Sequence, residues 1–179
     1  MKLASTFCLA LIGTVIISCN LHKDPRKSFD NAVAYNDYLI DRLDVLNKLY
    51  THALDTNMSL VDALQACDSL VMLCERTTEE MKGIQPFEGD SSLTMQSLEY
   101  TQYMKLNAEK HMKKFLELQE QYLQSTDLTE EEDAALYGQI EKALAEINLK
   151  QEKELAKLDA VQQKFADKHN LQVMDSESE

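Results

Sequence analysis

Residues 129–169 read TEEEDAALYGQIEKALAEINLKQEKELAKLDAVQQKFADKH, and this stretch decides the fold. Thr129 followed three places later by Glu132 is a capping box, and the four acids 130–133 stand where the positive end of a helix dipole favours anions. Behind that start runs a heptad pattern. Tyr137, Leu144, Gln151, Leu158 and Phe165 hold one position, and Ile140, Ile147, Glu154 and Val161 hold the other. Nothing stops it before His169-Asn170, so the pattern predicts one helix of about forty residues. A helix with one apolar face must be covered by others, and the chain supplies three. Apolar spacing predicts helices over 28–54, 60–82 and 92–124. Ser59 and Asp62 form a second capping box, Gly83 closes the second helix, and residues 83–91 with Pro86 make the clearest loop. Four amphipathic helices on short connections give an all-α fold, an antiparallel up-down-up-down four-helix bundle over 28–170. At 1.5 Å per residue the last two helices span about 50–60 Å and the first two about 35–40 Å, so the longer third and fourth helix hairpin overhangs its neighbours at one end.

Composition agrees with helices and narrows the partners. The 179 residues include no Trp, four Gly and two Pro, leaving little turn or strand chemistry. Net charge is −13, whereas binding a polyanion requires clustered Lys and Arg, so no nucleic-acid role is expected. Cys67 and Cys74 lie seven apart on one predicted helix, about 10.5 Å along its axis and beyond the ~7 Å reach of a disulfide. They read as small buried hydrophobes.

Candidate chemistry is sparse. His22, His52, His111 and His169 lack the Glu-x-x-His spacing of di-iron bundles, and neither an HExxH zinc motif nor an EF-hand loop is present. No cofactor and no metal site are expected. A Gly-x-Ser-x-Gly elbow and a Gly-rich phosphate loop are also lacking, so the chain does not read as an enzyme. Asp37, Asp41 and Asp44 repeat at helical spacing as a solvated acidic strip. Two features stand out against this background. Gln151 and Glu154 interrupt the apolar heptad in mid-helix, and such polar positions fix register, line a small cavity or are simply wet. At the overhanging hairpin Leu123, Leu128, Leu136 and Tyr137 lie near the tip, and Tyr122, Leu128 and Tyr137 are the leading candidates for partner contact.

The N-terminus supplies an address. MKLASTFCLALIGTVIISC carries one cation, Lys2, then an apolar run from Leu3 to Ile17, too short to span a bilayer and shaped like a secretory signal. Ile16-Ile17-Ser18 before Cys19 resembles the lipobox of bacterial lipoproteins, with Ile in place of the commoner Leu. The resemblance implies removal of residues 1–18 and lipidation of Cys19 by a diacylglycerol and an acyl chain such as palmitate. Two or more chains hold a protein stably on a membrane. Ala34-Tyr35-Asn36-Asp37 is similar to a pattern in uncharacterised helical lipoproteins of diderm bacteria, and Asn20, not Asp, after the cysteine implies the outer rather than the inner membrane. Residues 19–27 then read as the lipidated cysteine and a polar tether, and 171–179 as an acidic, disordered tail. The expectation is a lipid-anchored envelope protein with a protein partner, acting as an interaction or scaffold module. The alternative is a binder of a small ligand or cation near Gln151 and Glu154, for which a closed pocket of about 300 Å³ or more would be needed.

Overall fold

The computed structural model describes residues 26–55 and 57–171, so the signal, Cys19 and the tail from residue 172 lie outside the described residues. Helix α1 is Ala32–Ala53 and is opened by Asn31, whose Oδ1 accepts the Ala34 N–H at 2.8 Å. The expected start at residue 28 or 29 is therefore corrected: Phe29 turns back to lie edge-on against Tyr35 and Tyr38 instead of joining the helix. Helix α2, Leu60–Lys82, starts at the Ser59 cap and stops at Gly83 as its sequence expects. Helix α5, Glu130–His169, carries both halves of the Thr129–Glu132 capping box and ends at Asn170 in the left-handed region (φ 54). At forty residues it is about 60 Å long.

The third rod departs from expectation. It consists of α3 (Ser92–Leu106), a π-helical segment (Asn107–Met112) and α4 (Lys113–Gln124), where one uninterrupted α-helix was expected. The apolar steps explain the difference. Tyr100, Met104, Ala108, Met112 and Leu116 recur every four residues, and in an α-helix each such step drifts about 40° around the axis. A π turn absorbs one surplus residue, and all five side chains stay buried. Deleting exposed Lys110 should therefore leave helicity and cooperative unfolding intact, because the flanking helices keep their phase. In an uninterrupted α-helix the same deletion would swing Phe115 and Leu118 about 100° off the core and collapse the unfolding transition.

Side-chain contacts give the directions of the rods. Arg42 bonds Glu80, Lys105 bonds Glu75 and Lys113 bonds Asp68, so α2 runs antiparallel to both α1 and the third rod. Gln162 reaches Asn36 and Gln151 reaches Asn47, so α5 is antiparallel to α1. Tyr35 to Thr94 and Tyr100 to Asn47 set α1 parallel to the third rod. The result is an all-α helical bundle with a continuous apolar core, and among the described residues no strand is present. The ion pairs among these contacts are partly or well exposed, where each contributes little, and the core supplies the stability.

One end, here called proximal, is closed by residues 83–91. Lys27 makes two backbone hydrogen bonds across to Gly83 and Gln85 at 2.7 and 2.8 Å, and its ammonium lies 3.6 Å from the Tyr38 ring centre. Lys27 thus belongs to the fold and not to a free tether. The loop turns tightly at Glu88 and Gly89, both at positive φ, and Phe87 folds onto Tyr35 and Phe165. Asp90 Oδ1 accepts the N–H of Ser92, the first residue of the next helix, and Asp90 ion-pairs with Lys168 at 2.6 Å. The Lys168 hydrogen bond, with help from Ser92, holds the Asp90 carboxyl far below the ordinary carboxylate range. A carboxyl depressed on folding stabilises above its unfolded pKa of about 4 and loses that contribution as pH falls below it. Asp90→Asn should therefore be less stable than the parent at neutral pH, with the gap narrowing steadily below about pH 4 in urea titrations. A gap that is constant from neutral to acid pH would remove the ion pair from the account.

Candidate interaction site

The overhang forms at the opposite, distal end. There the α1–α2 turn stops short while α4 and α5 continue, joined by a turn in which Ser125 Oγ donates to the Gln121 carbonyl at 2.7 Å. Under the overhang lies an open cleft of about 250 Å³. Leu54 and Met58 of the turn floor it, Phe115 and Leu116 of α4 wall it, and Tyr122 and Tyr137 stand at its mouth. The two tyrosine rings are 6.2 Å apart and tilted at 57°. The Asp133 carboxylate faces the Tyr122 phenol and raises its pKa by charge repulsion and hydrogen bonding.

The predicted contact residues thus come together in part. Tyr122 and Tyr137 share the cleft, and Tyr137 remains half exposed because α5 has run past α1 and α2 there. Leu128 is exposed in the hairpin turn, and Leu123 at the rim is 74% exposed. Leu136 is a correction: it was expected near an exposed tip, and it is buried. Gln119, which also lines the cleft, was not singled out by the sequence.

Gln151 and Glu154 lead to a second polar feature in mid-bundle. Gln151 Nε2 donates to the Tyr100 hydroxyl, which itself donates to Asn47 Oδ1. About two helical turns on from Tyr100, Asn107 in the π segment donates through Nδ2 to Tyr50 and Tyr103 at 3.1 and 2.8 Å. Burial pushes the Tyr50, Tyr100 and Tyr103 phenols above their usual range, Tyr103 to about 12, with the nearby Glu154 carboxylate adding to the shift at Tyr103. Glu154 itself is part-buried and ion-paired with Lys157 at 2.7 Å. Neighbouring side chains, then, occupy the Gln151 position. Two acceptors in this cluster, Asn107 Oδ1 and Gln151 Oε1, are buried without a partner. Asn107 and Asn47 were missed in the sequence because single asparagines carry no spacing signal, although the run of four-residue steps through Ala108 marks the π turn that holds Asn107.

The remaining candidates carry less. Cys67 and Cys74 are fully buried free thiols, and burial pushes them up to about 11 and about 12, so neither is an activated nucleophile. His111 is half-buried, lowered first by desolvation and then by Lys150. Among the described residues no group of three or more His, Cys, Asp or Glu is placed to hold a metal ion, and no helix is long and apolar enough to cross a membrane. Compared with known proteins, the chain matches no family model, no curated protein and no solved structure.

Proposed function

We propose that this chain is a lipid-anchored helical bundle of the bacterial cell envelope that receives a protein partner at its distal end, as an interaction or scaffold module. The observation that carries the reading is the apolar cleft beneath the overhanging hairpin, rimmed by exposed Leu123 and half-exposed Tyr137. At about 250 Å³ and open, it falls below the 300–1,000 Å³ typical of ligand pockets, which favours an inserted side chain over a whole small molecule. The fixed position of Lys27 supports an orientation. Lys27 stands eight positions after Cys19, a reach of at most about 28 Å, so an anchor at Cys19 would hold the proximal end near the lipid and leave the cleft facing away.

Two experiments test the two halves of this reading. Cys19→Ala should abolish palmitate labelling and release the protein from membranes, and a variant that still fractionates with membrane and incorporates label would end the lipoprotein reading. Polar replacement of Tyr122, Leu128 and Tyr137 together should abolish partner recovery after crosslinking in intact cells, with helicity retained. The same number of replacements at exposed Val33, Val45 and Met72, away from the cleft, should leave recovery unchanged. Equal recovery from both triple variants would exclude the distal end.

A further inference from the structure

The distal end has a charge as well as a cleft. Residues 49–65 carry Asp55 and Asp62, residues 115–141 carry eight further acids, and neither stretch contains a Lys or Arg. The flanking cations Lys48, Lys114 and Lys142 stand at the boundaries of these stretches. Toward the proximal end the acids have partners: Arg42 with Glu80, Lys105 with Glu75, Lys168 with Asp90. At the tip an apolar hole is surrounded by acids that outnumber the cations, Glu117 pairing with Lys114, with Asp55 in its lining and Asp133 against Tyr122 at its mouth. Tyrosine faces beside carboxylates suit a cation at the rim.

Resting on the reading that the cleft receives a protein, we infer that its occupant is a basic amphipathic segment of that partner, seating one bulky apolar side chain in the cleft while its Lys or Arg side chains meet the acidic rim. Other occupants fit less well. A second copy would bring the same acids face to face, residues 172–179 are themselves acidic, and an anionic lipid surface is repelled. A buried apolar anchor ringed by complementary charge is the usual division of labour at such contacts, the anchor setting dissociation and the charge setting encounter rate and salt dependence.

The test uses the full-length chain in non-ionic detergent and fluorescence anisotropy with a synthetic Leu/Lys amphipathic helix of about 18 residues. Its controls are a Leu/Glu peptide of the same pattern and a Lys peptide with its central Leu replaced by Ser. The Leu/Lys peptide should bind, the other two should bind about tenfold more weakly or not at all, and affinity should fall steeply between about 50 and 500 mM salt. Leu123→Ser and the charge reversal Asp127→Lys with Glu131→Lys should each weaken binding about tenfold. Reversal of Asp37 and Asp41 on the α1 strip should not. Equal loss from the α1 reversal would reveal unspecific attraction to an acidic protein and overturn the inference. So would tighter binding of the Leu/Glu peptide, or dimerisation in light scattering that Leu123→Ser abolishes, which would assign the cleft to a second copy. Should the tip variants abolish partner recovery in cells while no basic peptide binds, the partner site would stand and its basic chemistry would fall.

Discussion

Phe165→Ala should lower the unfolding free energy by about 3–5 kcal/mol, the cost of emptying a buried aromatic site that cannot collapse. Phe165 is 1% exposed and is packed on three sides: Tyr35 of α1 at 5.2 Å between ring centres, Phe87 of the 83–91 loop at 6.2 Å and His169 at 4.5 Å. Its removal loosens α5 from α1 and from the loop in one step. The loss should appear in urea unfolding followed by circular dichroism, with a melting temperature lower by roughly 10 °C. Leu149→Ala on the same helix, at 68% exposure, should stay within about 0.5 kcal/mol of the parent. If the two variants unfold together, the aromatic cluster does not hold the proximal end closed.

The second large effect is expected at Asn107. Asn107→Ala removes the donor shared by Tyr50 and Tyr103 and leaves a small void. Tyr103 is part-buried, whereas Tyr50 is nearly enclosed and its hydroxyl keeps only its hydrogen bond with Tyr103. Two hydrogen bonds lost at a buried site, together with the void, give a loss of about 2–4 kcal/mol. A double-mutant cycle isolates the polar part. Adding Tyr50→Phe to Asn107→Ala should cost less than Tyr50→Phe alone, because one of the two partners of the hydroxyl has already gone. Additive losses would mean that the two side chains do not support one another.

Most of the bundle was legible because it rests on periodicity and punctuation. Ser59, Gly83, Thr129 and Asn170 each act through local backbone geometry, which a sequence displays directly, and all four stand where the helices begin or end. What was hidden depends on contacts between distant segments. The start of α1 shifted because Phe29 has two rings to lie against, and Leu136 is buried although the pattern of its neighbours placed it near the tip. The cleft was half visible: helix lengths foretell an overhang, but its floor at Leu54 and Met58 exists only once the α1–α2 turn meets α4. At mid-bundle the polar residues Gln151 and Glu154 were visible as breaks in a heptad. The partner of Gln151, Tyr100, was not assigned to it, since pairing across 51 positions leaves no local trace.

The π turn has a consequence for ancestry. A helix that stores one surplus residue in a widened turn, with both flanks still in phase, is the form that a single-codon insertion would leave. If the turn arose in that way, chains descended from the same ancestor should differ in length by one residue between Leu106 and Lys113 while sharing every other helix boundary, and the shorter ones should lack the buried asparagine's perch between two tyrosines.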